Sequence, residues 1–425
     1  LNINRPRGTT DIYGENVEYR NYISSTARKI FEVFNYKEII TPVFEHTAVF
    51  SRSIGEGSDI VSKEMYTFQD RKGRSLTLRP EGTASIARAV IENKMYVENL
   101  PLKLFYEGNM FRYERPQKGR MREFWQIGVE AIGTDNPIID VEIMWILNSL
   151  FEKLGFRKLV FKVNSIGCNK CREKFLIEFK KYLEPRIEKL CDDCRNRFDK
   201  NAMRIFDCKK SECINILKDS PEIYPFLCDD CKEKFKEILE CLEELKIDYT
   251  IDKTLVRGFD YYTGTVFEII SEDLKSEQNA LGGGGRYDNL LKELGGPDLP
   301  ATGFAVGVDR IIMLMKQLKL SYKKGRDLPG IYIIAMDRKC QFHSLKVLKY
   351  LRDSGVVCDI NFNNRGIKKE IKLAEKNGYS FVIIIGENEI KTGNLVLKDI
   401  RKFKQYSINW ENEKEKIMEF IGEGV

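Results

Sequence analysis

Residues 257–268 read Arg-Gly-Phe-Asp-Tyr-Tyr-Thr-Gly-Thr-Val-Phe-Glu, and this stretch decides how the rest of the chain is interpreted. It runs into an apolar segment, residues 266–270, that predicts a strand. Because side chains alternate between the two faces of a strand, several polar groups can converge on one pocket. Two tyrosine hydroxyls beside a guanidinium suit a small polar ring and a nearby anion. The alternative is a tyrosine-rich core strand with a surface arginine.

The size and composition of the chain predict a multidomain globular protein. With 425 residues it is too long for one ordinary hydrophobic core, so two or three domains are expected. No apolar run approaches the roughly 20 residues that span a bilayer, and residues 1–8 contain no apolar signal segment. We therefore expect a cytoplasmic location and no membrane partner.

The charged residues and the histidines limit the chemistry. A net charge of +6 permits a nucleic-acid partner without requiring one. The chain has only two histidines, His46 and His343, which argues against a histidine-based catalytic triad or a histidine-ligated catalytic zinc. We expect arginines and carboxylates to do the chemical work.

Hydrophobic periodicity predicts most of the secondary structure. An amphipathic helix is expected over residues 16–34, and an Ala-rich helix follows the segment at 76–83. The other predicted elements of the first part are a strand at 38–42, paired strands at 104–113 and 124–133, and a helix at 138–154. After residue 330 the predicted elements are strands at 331–335, 356–362 and 381–386 and helices at 341–353 and 367–378.

Two elements place an arginine where a phosphate can bind. Arg112 leaves a predicted strand, and its guanidinium fork matches a phosphate, while Phe124 in the returning strand offers a stacking face for a base. Arg310 opens a helix after a run of small residues, and a helix N-terminus favours an anion. The alternatives are a solvated Arg-rich hairpin and a helix cap with a surface arginine.

Together these segments resemble the class II aminoacyl-tRNA synthetases, and residues 257–262 resemble the signature of the histidyl-tRNA synthetase family. Helix 16–34 and the strand ending at Pro42 resemble motif 1, which builds the dimer interface in the family. The segments around Arg112 and Arg310 resemble motifs 2 and 3. The resemblance covers nearly the whole chain. It implies ATP-dependent activation of L-histidine to histidyl-adenylate and transfer to tRNA(His) by a homodimer, with release of AMP and pyrophosphate.

The implied fold class is α+β. A class II catalytic core, an antiparallel sheet flanked by helices, would carry a helical cysteine-rich insertion and be followed by a C-terminal α/β anticodon-binding domain. The expected division is residues 1–165 and 249–324 for the two parts of the core, 166–248 for the insertion, 325–330 for a linker, and 331–425 for the anticodon-binding domain.

The resemblance also implies residue roles. Arg257 and Arg112 would be catalytic. The expected histidine-binding residues are Glu81, Thr83, Arg112, Gln126, Glu130, Arg257, Tyr261, Tyr262 and Tyr287. The expected ATP-binding residues are Arg112, Glu114, Phe124 and Arg310, with Mg²⁺ bound to the nucleotide. Arg115 and Gln117 would meet the acceptor end of the tRNA. The chain departs from the usual pattern at Met121 and Trp125, neither of which carries a reacting group.

The expected chemistry suits these residue types. The carboxylate of histidine attacks the α-phosphorus of ATP and is already ionised, so the step needs no general base. Catalysis then rests on positioning the reactants and on stabilising the charge of the transition state, which arginines can do. The scarcity of histidine in the chain is consistent with such a mechanism.

Residues 168–241 hold nine of the eleven cysteines, and eight of these form close pairs. The pairs are Cys168 with Cys171, Cys191 with Cys194, Cys208 with Cys213, and Cys228 with Cys231. Such spacing lets two thiolates reach one tetrahedral ion, so eight thiols suffice for two structural zinc sites. The sequence does not tell which pair joins which. Reduced structural cysteines and redox-active pairs are the alternatives.

A rival function is that of a synthetase-like regulatory subunit of ATP phosphoribosyltransferase, which does not aminoacylate. Such proteins tend to lose the arginine of the tyrosine signature and often the anticodon domain. Here Arg257 is present, and residues 331–425 resemble that domain. In it, Lys368, Lys369 and Lys372 recur on one helix face, as phosphate contacts require, although a solvated helix face is the alternative.

Overall fold

The computed structural model describes residues 3–55, 58, 60–97, 99–116, 119–274, 279–322, 330–363 and 365–422 of the chain. The chain forms two compact units, Leu1–Lys323 and Lys324–Val425. None of the helices in these described ranges has the length and apolar character needed to cross a membrane. All but the last residue of the expected linker, 325–330, lie outside the described ranges.

The first unit is built on two sheets. Its strands are β1 (Lys37–Glu38), β2 (Phe44–His46), β3 (Tyr66–Gln69), β4 (Ser75–Leu78), β5 (Leu102–Phe111), β6 (Glu123–Ile132), β7 (Leu159–Ser165), β8 (Tyr249–Ile251), β9 (Thr263–Ser271), β10 (Ala280–Arg286) and β11 (Ala301–Gly307). The main sheet has the order β1-β5-β6-β11-β10-β9-β7-β8, and β2-β4-β3 form a small sheet. The central neighbours are antiparallel, whereas β1 and β8 pair in parallel at the two edges.

In the described part of the first unit, ten α-helices accompany these sheets. They are α1 (Glu15–Val33), α2 (Thr47–Ile54), α3 (Thr83–Glu92), α4 (Ile138–Lys153), α5 (Asn169–Leu183), α6 (Asp192–Lys200), α7 (Ser211–Leu217), α8 (Asp229–Glu244), α9 (Leu290–Glu293) and α10 (Val308–Gln317). A short π-helix occurs at Ile60–Glu64. Short 3₁₀ helices occur at Met95–Val97, Glu184–Lys189, Ala202–Asp207 and Tyr224–Phe226.

The two faces of the main sheet have different roles. In β9, Phe267 and Ile269 point into a core shared with α1, α4 and α10, as the alternation of a strand requires. In α1, Tyr19, Ile23, Ala27 and Phe31 are buried at four-residue spacing and cover that face. The opposite face carries tyrosines and continues into the core of the insertion. The candidate site lies on this second face.

The insertion is helical, as the sequence predicts, and it has an aromatic core of its own. Phe175 and Phe179 in α5 stack on each other with ring centroids 5.2 Å apart, and Phe206 stacks on Phe179 at 4.8 Å. The helix α8 instead turns Phe235, Ile238 and Leu242 into the core that contains α4. The insertion is therefore part of the first compact unit.

The second unit has a five-stranded sheet. Its elements are β12 (Ile331–Ala335), α11 (Arg338–Asp353), β13 (Cys358–Ile360), α12 (Ile367–Lys376), β14 (Phe381–Ile385), α13 (Glu387–Thr392), β15 (Asn394–Asp399), β16 (Lys404–Asn409), α14 (Trp410–Glu413) and α15 (Lys416–Gly422). The order is β13-β12-β14-β15-β16. β12 pairs in parallel with β13 and β14, and β15 and β16 add an antiparallel hairpin that the sequence analysis did not predict.

Candidate active site

A small cavity lies on the tyrosine-bearing face of the main sheet. Its volume is about 180 Å³, below the roughly 300 Å³ at which pockets for drug-sized ligands begin. All nine residues expected to bind histidine line it: Glu81, Thr83, Arg112, Gln126, Glu130, Arg257, Tyr261, Tyr262 and Tyr287. These residues come from α3, β5, β6, the segment before β9 and the end of β10. The space between them has room for one small polar molecule.

Glu130 lies at the bottom of this cavity and is fully buried. Its Oε1 accepts a hydrogen bond of 2.7 Å from the Thr83 hydroxyl, and its Oε2 accepts a very short one from the Tyr287 hydroxyl. Burial raises the pKa of this carboxyl to about 8, although both hydroxyl donors oppose the shift. A Cβ at Gly303 would lie 1.9 Å from Oε2, so only glycine leaves space for the carboxyl.

Glu81 holds the start of α3. Its two carboxylate oxygens accept backbone N–H bonds from Thr83 at 2.6 Å and Ala84 at 2.9 Å. A carboxylate at a helix N-terminus is favourable, because the first N–H groups have no partner within the helix. Burial nevertheless raises the pKa of Glu81. The arrangement fixes one carboxylate and one hydroxyl at the same end of the cavity.

Arg112 lines the cavity from just after β5. Its Nε donates to the carbonyl of Pro80 at 2.9 Å, which fixes the plane of the guanidinium. The guanidinium carbon is 5.2 Å from the centre of the Phe124 ring and 5.7 Å from that of Phe259, within cation–π range. Aromatic rings and one backbone bond therefore hold this cation in place.

Arg257 reaches the cavity beside the glycine run of β10. Its guanidinium contacts Glu268, with Nη1 3.4 Å from Oε1. The Nε atom is buried and has no hydrogen-bond partner among the described residues, an arrangement that costs free energy unless a ligand or water meets it. A Cβ at Gly283 would lie 2.7 Å from Nη1, so the glycine makes room for the arginine.

The tyrosines form one buried aromatic group around the cavity. Tyr261 stacks on Phe259 with centroids 5.1 Å apart and meets Tyr287 edge-on at 5.6 Å. On the neighbouring strands, the Tyr106 hydroxyl donates to Gln126 Oε1 at 3.3 Å. Because buried hydroxyls need polar partners, the group is well placed to hydrogen-bond a polar ring.

The residues expected to bind ATP lie outside this cavity, except for Arg112. Phe124 lines a larger cavity of about 610 Å³ on the other side of the β5–β6 hairpin. The Oε2 atom of Glu114 lies 3.7 Å from Nη1 of Arg120. The Arg310 Nε donates to the Ala280 carbonyl at 2.8 Å, and burial together with the charge of Arg120 lowers the pKa of Arg310. Two cations brought this close favour an anion between them.

The tRNA-binding expectations can be placed only in part. Arg115 is exposed in the loop that follows β5, whereas Gln117 lies outside the described residues. In the second unit, Lys368, Lys369 and Lys372 are all exposed along α12. Asn364, which belongs to the segment that precedes this helix, also lies outside the described residues.

The eight paired cysteines form two groups of four, and the structure decides the pairing. Cys168 and Cys171 meet Cys228 and Cys231, which joins the two ends of the insertion. Cys191 and Cys194 meet Cys208 and Cys213 in its middle. We call these the outer and the inner cysteine groups. All eleven cysteines of the chain are free thiols.

Both groups fit a tetrahedral zinc ion. Within each group the four sulfur atoms lie within 4.8 Å of one another. Sulfurs bound at about 2.3 Å to one zinc are about 3.8 Å apart. The sulfurs of Cys168 and Cys171 in the outer group are 3.5 Å apart, and those of Cys191 and Cys208 in the inner group are 3.9 Å apart. Backbone N–H groups also point at Cys171 and Cys213, from Cys228 at 3.1 Å and Cys191 at 3.4 Å, as thiolate ligands require.

Some residues of the site were not predicted from the sequence. Phe259, Phe304, Ala305 and the two glycines Gly283 and Gly303 also line the small cavity. Phe259 lies inside the quoted signature, and Gly283 inside the glycine run, so their positions carried a usable signal. Glu268, which pairs with Arg257, is the last residue of the quoted stretch 257–268. The alternation of side chains along β9 therefore carried a signal for its position.

Comparison with known proteins agrees with this geometry. A family profile described as histidyl-tRNA synthetase matches residues 8–170 and 212–311, and one described as an anticodon-binding domain matches residues 330–420. The chain is 43% identical over 426 residues to a histidine–tRNA ligase of Halothermothrix orenii, covering 99% of the chain and 100% of the relative. It is 43% identical over 418 residues to that of Natranaerobius thermophilus, covering 98% and 99%.

Among solved structures, the chain is similar to the apo form of a Staphylococcus aureus histidyl-tRNA synthetase. The TM-score is 0.82 and the identity is 34%, with 99% of each chain covered. The agreement extends over both units of the chain. The family profile, by contrast, leaves residues 171–211 unmatched, and these contain four of the eight paired cysteines.

Proposed function

The chain belongs to the histidyl-tRNA synthetase family, and from this membership we propose how its residues divide the work of a histidine–tRNA ligase. The reaction is ATP-dependent: L-histidine is activated to histidyl-adenylate and transferred to tRNA(His), with release of AMP and pyrophosphate. Because its relatives over the full length are histidine–tRNA ligases, the rival function of a regulatory subunit is not favoured.

We propose that the 180 Å³ cavity binds L-histidine. The observation that carries this proposal is that nine polar and aromatic residues named from sequence motifs line one cavity of amino-acid size. Glu130 and the tyrosines are suited to pair with both ring nitrogens of the imidazole. Glu81 and Thr83 are suited to receive the α-amino group, and Arg112 to meet the α-carboxylate.

Activation then needs little more than alignment and charge. The histidine carboxylate attacks the α-phosphorus, the bond to pyrophosphate breaks, and negative charge builds up on the phosphoryl oxygens. Arg112 and Arg257 both line the cavity and would face that charge, and donors fixed in advance are worth most in such a place. Phe124 would stack on the adenine, Glu114 would accept from it, and Arg310 would hold the γ-phosphate, with Mg²⁺ neutralising the triphosphate.

The test of histidine binding uses Glu130. Replacing Glu130→Gln removes the titratable charge and turns one of the two carboxyl oxygens proposed for the imidazole into an NH₂ donor. We therefore expect KM for histidine to rise about tenfold or more while KM for ATP changes less than about twofold. The matched control is Glu370→Gln, which changes another buried glutamate that accepts from a tyrosine, Tyr332 at 3.0 Å, in the second unit. Equal effects of the two variants on histidine would refute the role of the cavity.

We propose a homodimer formed through motif 1, because Ile40, Phe44 and Phe68 around the small sheet are 81%, 51% and 44% exposed. Sedimentation equilibrium should then give twice the 49.5 kDa of one chain. A cytoplasmic location agrees with cysteines that are not paired in disulfides, since reducing compartments keep cysteines reduced, and fractionation of cells would test it.

We propose further that the tRNA contacts both units. Arg115 and Gln117 would meet the acceptor end, while the second unit, matched by the anticodon-binding profile, would bind the anticodon stem. The exposed lysines of α12 are suited to contact phosphates.

The proposed metal of the two cysteine groups is zinc. Four thiolates in a tetrahedral arrangement are typical of structural zinc sites, and with no open position for water such a site stabilises the fold and does not react. Elemental analysis of protein purified without chelator should show two zinc ions per chain. Less than about a tenth of an equivalent would exclude the assignment.

A further inference from the structure

Side chains of the insertion donate hydrogen bonds to the segment that carries the histidine signature. Between Arg257 and Tyr262, three of its groups accept hydrogen bonds from insertion side chains. Asn201 Nδ2 donates to Asp260 Oδ1 at 2.6 Å, and Arg204 donates to the Gly258 carbonyl at 2.7 Å. Arg172 donates to the Tyr262 carbonyl at 2.9 Å. The insertion therefore contacts the residues on both sides of Phe259 and Tyr261, which line the cavity.

Two of these donors lie between ligands of the inner cysteine group. The stretch 195–207 lies between Cys194 and Cys208, two members of the inner group. Asn201 and Arg204 belong to this stretch. The stretch contains the end of α6 and a single helical turn, Ala202–Asp207. An ion bound by the inner group would close this stretch into a loop of fixed ends, so its conformational freedom would be small.

Hydrogen bonds within the stretch 195–207 also stabilise its conformation. Arg197 donates to the Arg204 carbonyl at 3.2 Å, and the Arg204 Nε donates to Asp207 Oδ2 at 2.8 Å. These bonds orient Arg204 toward Gly258. Beneath the turn, Ala202, Met203 and Ile205 are buried and Phe206 stacks on Phe179, so the core of the insertion holds the middle of the stretch. The inner group is placed to fix its two ends, next to Cys194 and Cys208.

We propose that the metal of the inner cysteine group acts as a remote support of the histidine site. When zinc is bound, the stretch 195–207 holds Asn201 and Arg204 in place, and these two positioning residues fix the segment from Gly258 to Asp260. When it is lost, the segment gains freedom, and Phe259 and Tyr261 leave their positions in the cavity for part of the time. The proposal rests on the proposed binding of histidine in that cavity. The family profile leaves residues 171–211 unmatched, so it does not describe this support.

The experiment compares three variants of the full-length protein. Cys208→Ser removes one ligand of the inner group, and Asn201→Ala breaks one bond to the segment while every cysteine remains. The control, Glu222→Ala, removes another contact between the insertion and the core, to Lys253 at 2.7 Å, that does not end on the segment. Each is measured for zinc content, for amide hydrogen exchange of the peptide covering residues 257–262, and for KM of histidine and of ATP in pyrophosphate exchange.

The expected zinc content is two per chain for the parent, Asn201→Ala and Glu222→Ala, and one for Cys208→Ser. Amide exchange in residues 257–262 should be at least about fivefold faster in Cys208→Ser and Asn201→Ala, with a similar rise in KM for histidine and an unchanged KM for ATP. Glu222→Ala should match the parent. A folded Cys208→Ser that has lost one zinc but shows unchanged amide exchange in residues 257–262 would overturn the proposal. If Cys208→Ser does not fold, the parent protein depleted of zinc by a chelator takes its place in the comparison.

Unchanged amide exchange of residues 257–262 in Asn201→Ala would overturn the proposal, and so would a parent protein without zinc. These outcomes differ from a failure of the proposed histidine site. That failure would appear as a parent whose pyrophosphate exchange does not depend on histidine, whatever its zinc content.

Discussion

At the scale of single residues, the buried carboxyl of Glu130 has the most distinctive chemistry. Its pKa is raised from 4.5 to about 8 because it lies away from water next to another carboxyl, that of Glu81. A neutral or ionised Glu130 still presents acceptor oxygens to Thr83 and Tyr287. The residue is therefore able to hold a proton near neutral pH at the place where the imidazole is proposed to bind.

This raised pKa predicts a pH dependence of stability. Between pH 4.5 and 8 the folded state holds a proton on Glu130 that the unfolded state has lost, so the contribution of Glu130 to the free energy of unfolding falls as pH rises, by about 1.4 kcal/mol per pH unit at most. In Glu130→Gln this fall is absent. The stability of the variant relative to the parent should therefore increase from pH 5 to 8, as measured by urea unfolding without ligand. A difference that stays constant over this range would contradict the burial of Glu130.

The sequence predicted the residues of the small cavity better than their contacts. The nine expected residues converge because motif order and strand alternation place them on one face. The bonds of Glu130 to Thr83 and Tyr287, and that of Arg257 to Glu268, depend on strand register and rotamers, which are set by the packing of the whole sheet. Register is a non-local property that a single sequence does not display.

At the scale of elements, the helix α12 offers a defined test of nucleic-acid contact. Replacing Lys368, Lys369 and Lys372 together with alanine should weaken tRNA(His) binding and reduce the slope of log affinity against log salt by up to about three. Histidine-dependent pyrophosphate exchange should not change. Filter binding at several salt concentrations measures both quantities.

The control for that test is a charge-matched triple change on the neighbouring helix α11. Lys339, Lys346 and Lys349 are also exposed, so changing them to alanine lowers the charge of the second unit equally. If the two triple variants lose tRNA affinity to the same extent, the effect is one of overall charge and α12 is not the contact.

Elements with strong periodicity were predicted closely, and those defined by distant partners were not. The helices predicted at 16–34 and 138–154 were found at Glu15–Val33 and Ile138–Lys153. The strand predicted at 38–42 is only Lys37–Glu38, because this edge strand pairs on one side alone. The helix that Arg310 was predicted to open starts two residues earlier, at Val308, directly after the strand in which Val306 pairs with Ile127. The pairing of the cysteines likewise depended on contacts between distant parts of the chain.

At the scale of the whole molecule, the two compact units predict a division of labour. Every residue proposed to bind histidine or ATP belongs to Leu1–Lys323. A protein that ends at residue 324 should therefore still form histidyl-adenylate at a rate within about threefold of the parent. It should charge tRNA(His) far more slowly, mainly through a higher KM for tRNA. Single-turnover adenylate formation and aminoacylation assays separate the two steps. Unimpaired charging of tRNA by the shortened protein would show that the second unit has another purpose.

The central claim is that the small cavity activates histidine with the help of Arg257. The most direct measurement is ATP–pyrophosphate exchange with each of the twenty amino acids, in the parent and in Arg257→Ala, after circular dichroism has shown that the variant is folded. We predict exchange with histidine alone in the parent and a fall of about 10²–10³ or more in the variant. Exchange supported by another amino acid, or a folded variant that stays within about tenfold of the parent, would contradict it.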